Sequence, residues 1–291
     1  MKVGFVVLGY GNYPMYAECV DWLMKIKNIE MAEIILVDNC SPDGTGEKLK
    51  VKYACIHNIT VLENTENQGF AKGNNLGYRY AREQLKCDAI VVMNSDVFIK
   101  DQDFYNVLVS VIGNNKDVSI IAPDVLGDGN RHTNPYRTTP VTVKDAKKRI
   151  AIKKLIIILL KIGINYESSK KAVANNADEI QVRIDNVVPH GSCIIFCNAW
   201  VKNEDLAFFP GTFLYHEEFF LDEYFRQKKY LSSYIPELVV KHIGDASLND
   251  TIKIENKKKL FVLKNQIHSL KLYIQFIKDP KNNWSQENLD L

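Results

Sequence analysis

Four short apolar runs alternate with helix-spaced segments through the first hundred residues, and this alternation limits the fold more than any other feature. The runs are Val3–Leu8, Ala32–Val37, Ile59–Glu63 and Ala89–Met93. The last has the length and β-branched content of a fully buried strand. Between the runs lie Tyr13–Lys27, Thr45–Tyr53 and Phe70–Gln84. In the first of these, Met15, Cys19, Trp22, Leu23 and Ile26 share one helical face. Strand and helix repeated at this spacing predict βαβ units and a parallel sheet. Right-handed crossovers then gather the C-terminal strand ends along one edge. That is the edge where open α/β sheets bind ligands.

Four loops meet there: 9–13, 38–45, 64–75 and 94–97. Their residues are not those of plain connectors. Loop 38–45 offers Asp38, Ser41, Asp43 and Gly44, while loop 64–75 offers Asn64, Asn67, Gly69, Lys72, Gly73, Asn74 and Asn75. This is hydrogen-bonding chemistry for a sugar, a base and a diphosphate. Gly9-Tyr10-Gly11 lacks the third glycine of GxGxxG, and no GxxxxGK[ST] occurs. A nucleotide reader of another kind is indicated. In the last loop, Asp88–Lys100 reads DAIVVMNSDVFIK and turns polar at Asn94, Ser95 and Asp96. A carboxylate there can hold a divalent cation, and the cation a phosphate. From this stretch alone, Asp96 could equally start a turn or cap a helix beginning near Asp101 or Asp103.

Composition narrows the partners. The 291 residues carry a net charge of +2, with 46% hydrophobic and 25% charged residues, which suits one large folded domain with an elaboration. So small a charge, without a basic tract interleaved with aromatics, argues against nucleic acid. Lysines gather at 144–154 and 253–259. A solvated helix face and contact with an anionic membrane surface are the two readings of such runs. The six cysteines form no CxxC pair, and no histidine spacing completes a zinc site. With an N-terminus that runs straight into a strand, this predicts a reduced, cytoplasmic protein, at most resting on the inner face of the cell membrane. The longest apolar run, Leu155–Leu160, is far short of a membrane span.

Beyond residue 100 the pattern loosens. Ser119–Pro123 reads as a strand, Asp124–Arg137 as a polar loop, and Val143–Ile164 as a basic, poorly amphipathic helix for packing, self-association or a membrane interface. Glu167–Asp178 reads as a loop able to order over substrate. Val187–Phe196 and Tyr234–His242 return to strand character, and Ile252–Ile277 reads as one or two helices. Between the strands, residues 208–226 (FFPGTFLYHEEFFLDEYFR) set Glu217 and Glu218 before a helical stretch. Acids there complement the helix dipole; a general base for a hydroxyl is the functional alternative. Arg226 lies about two turns on from Glu218, where it could pair with the acid, meet a phosphate or form a surface ion pair.

Three motifs, in order, carry a resemblance. Ile35–Thr45 (ILVDNCSPDGT), Glu63–Asn75 (ENTENQGFAKGNN) and the strand-end Asn94-Ser95-Asp96 resemble the family 2 glycosyltransferases, over roughly residues 3–245. Within them the chain is most similar to the rhamnosyltransferase-like branch of bacterial polysaccharide synthesis. The resemblance implies a GT-A fold: an α/β, Rossmann-like, mixed and mostly parallel sheet flanked by helices, with a C-terminal helical extension. It implies a domain over 1–248, with 1–100 the nucleotide-binding half and 101–248 the acceptor-binding half, and the extension over 249–291. The implied reaction is an inverting transfer from a nucleotide-sugar donor of dTDP-rhamnose or UDP-sugar type to a hydroxyl of a glycan or lipid-linked saccharide acceptor. The implied cofactor is Mg2+ or Mn2+.

Carried over to this chain, Asp38 would hydrogen-bond the base, with Ser41 and Asp43 nearby. Leu8, Tyr10, Asn67, Gly69, Phe70, Lys72, Asn74, Asn94 and Ser95 would meet the nucleotide sugar. His190, Gly191, Ser192 and Glu217 would line the acceptor and donor-sugar pocket. Asp96 and His242 would ligate the metal. Glu218 would be the catalytic base, at the second place of the family's ED motif, with glutamate for aspartate. Asn94 stands where DxD has its first acid, so the resemblance implies a weak metal site, complete only with donor present. Two rivals remain. A sugar nucleotidyltransferase would carry a basic loop after the first strand, whereas Gly9–Pro14 has no lysine or arginine. A non-catalytic nucleotide-sugar-binding protein would accommodate the Asn94 and Glu218 departures. A homo-oligomer through the C-terminal helices is also left open.

Overall fold

The computed structural model of the chain describes residues 1–163, 180–244, 255–278 and 284. The four apolar runs are strands β1 (Val3–Gly9), β2 (Glu33–Asp38), β3 (Ile59–Glu63) and β4 (Ala89–Asn94). They pair in parallel in the order β3-β2-β1-β4. Register sets Gly9 beside Asp38, Asp38 beside Glu63, and Leu8 beside Asn94, so their loops leave the sheet side by side. The crossovers are helices α1 (Tyr13–Leu23), α2 (Thr45–Tyr53) and α3 (Gly69–Arg79).

The remaining elements are β5 (Val97–Phe98), α4 (Phe104–Asn114), β6 (Ile120–Leu126), α5 (Val143–Lys161), β7 (Ile184–Asp185), β8 (Cys193–Phe196), α6 (Asn198–Asn203), α7 (Glu217–Lys228), β9 (Ser232–His242) and α8 (Glu255–Lys278). β8 runs antiparallel between β4 and β6, β9 pairs in parallel with β6, and β5 closes that edge against β9. The sheet is mixed, and parallel registers carry most of its pairing. Alternate residues serve opposite faces. Phe5, Val7, Leu36, Val91 and Met93 meet α1, α2 and α4, while Val6, Val37, Ile90 and Val92 meet α3, α7 and α8.

Several boundaries differ from the sequence reading. α1 stops at Leu23, where Met24 N donates to Val20 O, and Asn28 then takes a left-handed turn. The third helix ends in a π turn at Tyr80–Gln84. Asp124 and the two residues after it are not loop: β6 runs on to Leu126, and the buried Asp124 carboxylate meets His132 Nδ1 at 2.8 Å. Only Cys193–Phe196 of the expected strand 187–196 pairs in the sheet. Pro189 has no N–H to offer a ladder, and Asn134 Oδ1 holds His190 N at 2.6 Å in a loop instead. The expected loop Glu167–Asp178 lies outside the described residues. Among the described residues of the C-terminal segment, 255–278 form one helix, α8. Tyr273 OH donates to Val141 O at 2.8 Å and Ser269 Oγ to Leu214 O at 3.1 Å, tying α8 onto the segments before α5 and α7.

Asn74 and Asn75 of the 64–75 stretch are buried in the fold. Asn75 is buried; its Oδ1 accepts from Ala207 N and Phe208 N at 3.0 and 2.9 Å, and its Nδ2 donates to Phe208 O at 2.8 Å. This one side chain satisfies three buried backbone groups. Asn75→Ala is therefore expected to cost about 2–4 kcal/mol in urea unfolding. Lys72→Ala, at an exposed site on the same helix, should stay within about 0.5 kcal/mol. Equal effects from the two would contradict the assignment.

Candidate active site

A cavity of about 600 Å³ opens at the C-terminal edge of the parallel strands. Its floor is built by backbone pairing. Ser95 N donates to Leu8 O at 2.9 Å, Asn94 N to Ser192 O at 3.0 Å, and Ile243 N to Asp96 O at 3.0 Å. These bonds fix the tripeptide Asn94-Ser95-Asp96 between the first half of the chain and the second. Val97 pairs with His242 in the β5–β9 ladder, which sets the Asp96 and His242 side chains together. Their closest approach is 3.4 Å, Nε2 to Oδ1.

Asp96 is buried, and its Oδ1 has no hydrogen-bond partner. A buried carboxylate oxygen left in that state is costly. One oxygen and one imidazole nitrogen facing each other are donors that Mg2+ or Mn2+ accepts. Among the described residues no cluster of three or more His, Cys, Asp or Glu could hold an ion. The pair therefore fits a cation whose other ligands come from a diphosphate and water. Beside it, His190 Nδ1 accepts from Ser192 N at 3.2 Å and lies 2.8 Å from Ser192 Oγ. Its neutral ring then carries the proton on Nε2. Burial, then the nearby His242, lower the His190 pKa to about 4.

The start of α7 also lines the cavity. Tyr215 and His216 both take left-handed backbone angles, φ 74° and 71°, at a cost of order 1–3 kcal/mol each for non-glycine residues. That tight turn sets Glu217 and Glu218 in the first helical turn, both facing the cavity. Glu218 is half-buried, and a Cβ at Gly191 would stand 3.8 Å from its Oε2. Burial raises the Glu218 pKa to about 7, against its helix N–H and Arg149. Burial and the Glu218 charge raise that of Glu217 to about 8. At neutral pH Glu217 is the neutral partner, and Glu218 is poised to gain or lose a proton.

Residues 5–174, more than half of the 291-residue chain, match glycosyl transferase family 2. The chain belongs to that family. A low-salt glycan biosynthesis hexosyltransferase of Haloferax volcanii is 30% identical over 130 residues, which are 44% of this chain and 38% of that protein. The match thus spans about two fifths of that relative's length. Among solved structures the fold is similar to a mannosyltransferase from Pyrobaculum calidifontis in complex with GDP-Man and Mn2+. That likeness has a TM-score of 0.53 at 15% identity, over 97% of this chain and 71% of the other. S. aureus TarS 1–349 in complex with UDP is similar at a TM-score of 0.54 and 16% identity, over 90% and 70% of the two chains. The fold of this family 2 chain is accordingly GT-A, with the mixed sheet described above.

In this family 2 site, most residues singled out from the sequence line the cavity: Leu8, Tyr10, Asn67, Gly69, Phe70, Asn94, Ser95, Asp96, His190, Gly191, Ser192, Glu217, Glu218 and His242. Five do not. Both Asp38 oxygens engage Ser41, through its hydroxyl and its N–H (3.0 Å), and Ser41 Oγ accepts from Gly11 N at 2.6 Å. Asp38 and Ser41 thus shape the 9–12 loop from behind. Asp43 caps α2 by accepting from Thr45 N at 3.1 Å and Thr45 Oγ1 at 2.6 Å. Lys72 is exposed, and the fully buried Asn74 donates to Phe70 O at 3.0 Å within its own helix. Arg226 does not reach Glu218 either; it pairs with the buried Asp222 at 2.7 Å.

Sequence reasoning missed Asn39, Tyr136, His216 and Gln266. Asn39 is the hub of the 64–69 loop. Its Nδ2 donates to Asn67 Oδ1 and Gly69 O, both at 3.0 Å, and its Oδ1 accepts from Asn64 Nδ2 at 2.8 Å and Gln68 N at 3.1 Å. Gly69 has φ 76° and packs so closely on the Phe213 carbonyl that no Cβ fits there, which joins the 64–69 loop to the segment before α7. His216 is buried, lines the cavity and leaves Nε2 without a partner. Burial, then Lys153 and Arg149, lower its pKa to about 3. Only asparagine next to Asp38 was legible as a candidate; the others depend on contacts between distant segments.

Folding raises the Glu217 pKa from 4.5 to about 8. Between those values the native state holds a proton that the unfolded chain has released, so this group makes stability fall as pH rises through that window. Glu217→Gln removes the effect. Its Tm should gain on the parent by about 2–4 °C or more between about pH 5 and about pH 8.5. Parallel Tm curves at every pH would contradict the assignment.

Proposed function

We propose that this chain is an inverting, metal-dependent glycosyltransferase. The donor in this reading is a nucleotide sugar of dTDP-rhamnose or UDP-sugar type, and the acceptor a hydroxyl of a glycan or lipid-linked saccharide in cell-surface polysaccharide synthesis. One observation carries the proposal: the Asp96–His242 pair and the Glu218 carboxylate share one cavity. Inversion requires the nucleophile and the leaving group on opposite faces of the anomeric carbon. The family match supports the reaction class, and the donor sugar rests on the sequence resemblance.

Residues 1–100 would hold the donor, through the 9–12 backbone, the Asn39-fixed loop and the Asn94–Asp96 turn. Residues 101–248 would hold the acceptor, with α8 closing that end through Phe261 and Gln266. Bound at Asp96 and His242, Mg2+ or Mn2+ supplies positive charge against the departing diphosphate. Glu218, ionised above about pH 7, takes the acceptor hydroxyl proton as that oxygen bonds to the anomeric carbon. The bond from that carbon to the diphosphate oxygen breaks on the far side. Glu217 stays protonated, so Glu218 bears the only charge of the acidic pair, and His216 Nε2 is free to bind an acceptor hydroxyl.

With a donor panel of dTDP-, UDP- and GDP-sugars and Mn2+, Glu218→Gln should lower kcat about 10²–10⁴-fold with donor KM nearly unchanged. The rising limb of the parent pH profile near pH 7 should vanish with it. Chelation by EDTA and Asp96→Asn should each remove most of the turnover. No turnover of any donor by the parent, or parental kcat in Glu218→Gln, would overturn the reading.

A further inference from the structure

The outward face of α5 is a feature that the transfer reaction leaves without a use. Ile152, Leu155, Ile158 and Ile162 are 48%, 56%, 56% and 65% exposed. At 100° per residue they share one side of the helix. The other side carries the buried Ala146 and the half-buried Ile150 and Lys153. Exposed Lys144 and Lys148 continue this side toward the N-terminus, Lys147 and Lys154 flank it, and Lys161 is exposed near the C-terminal end. With Arg149 and Lys153 on the inner side, residues 143–162 hold seven basic side chains against one acid. That acid, Asp145, is engaged in the capping box with Thr142.

We propose that this face docks on an anionic lipid surface. The isoleucines and Leu155 enter the boundary between headgroups and acyl chains, and the lysines meet the lipid phosphates. Charge selects this occupant over a second copy of the chain. A two-fold pairing of the same face sets lysines against lysines, whereas a bilayer rich in anionic lipid offers negative charge throughout. No described helix is long and apolar enough to cross a membrane, and α5, about 28 Å long, lies along the surface instead. Its inner side reaches the cavity. Lys153 Nζ donates to the cavity-lining Gln266 Oε1 at 2.5 Å, and Arg149 sits 5.8 Å over the Phe219 ring. Docking therefore sets the bilayer about one helix diameter, roughly 10 Å, from the cavity wall. That proximity favours a lipid-linked acceptor, the one consequence that rests on the proposed reaction.

The test uses the full chain and no donor, so its result is independent of catalysis. The protein is co-sedimented with vesicles of phosphatidylglycerol and phosphatidylcholine, and with vesicles of phosphatidylcholine alone, at low and high salt. Binding should need the anionic lipid and weaken with salt. The pair Leu155→Asn and Ile158→Asn should weaken partitioning about tenfold or more, and the set Lys147→Glu, Lys148→Glu and Lys154→Glu should abolish the lipid preference, each with a parental circular dichroism spectrum. No binding of the parent to anionic vesicles, or unchanged binding of both variants, overturns the proposal. So does a parental dimer in light scattering that the Leu155→Asn and Ile158→Asn pair converts to monomer, since a second copy would then cover the face.

Discussion

Two residue pairs of one ladder, Val97 with His242 and Phe98 with Lys241, hold the site together. Asp96 lies in the turn after β4, the last of the parallel strands, His242 ends β9, and 145 residues of chain separate them. The β5–β9 ladder turns that distance into a 3.4 Å approach. The insertion of β8 between β4 and β6 does the same for Ser192, whose carbonyl receives Asn94 N. Backbone hydrogen bonds, not side-chain packing, therefore set the geometry of the Asp96–His242 pair. Such bonds tolerate little displacement.

The acidic wall obeys a different constraint. Glu217 and Glu218 sit in partly apolar surroundings next to Phe219 and Tyr136, and burial makes their ionised forms costly. The backbone turn at Tyr215 and His216 adds strain to the same segment. Burial pushes the Tyr136 phenol up as well, to about 12, with the Glu218 charge adding to it. A fold selected for stability alone would not keep two adjacent acids, a strained turn and an unpartnered imidazole along one cavity. Their coincidence is what a site for binding and proton transfer requires.

The parallel half of the fold was legible because each strand is a short apolar run and each crossover a periodic helix. The loops at its edge were legible as a group for the same reason. Individual roles were not. Asp38 and Asp43 are chemically apt for a nucleotide, yet Asp38 is buried against Ser41 and the exposed Asp43 is engaged by Thr45; a loop sequence does not encode which partners a carboxylate takes. The continuation of β6 through Asp124 was hidden because a buried acid reads as loop until its partner His132 is known. Asn39, Tyr136, His216 and Gln266 come from four distant segments, and only tertiary packing brings them to one cavity. That Glu218 and Asp96 share the cavity was foreshadowed by the order of the motifs.

The measurement that bears most directly on the account is the position of a metal and a nucleoside diphosphate bound together. Crystals grown with Mn2+ and UDP or dTDP should show an anomalous scattering peak touching Asp96 and His242, with the diphosphate on the peak and the nucleoside toward the 9–12 loop and Asn39. Crystals with Mn2+ alone should show that peak weakly or not at all. A metal bound away from both residues, or a diphosphate seated at the Arg149–Lys153 end of the cavity, would contradict the account.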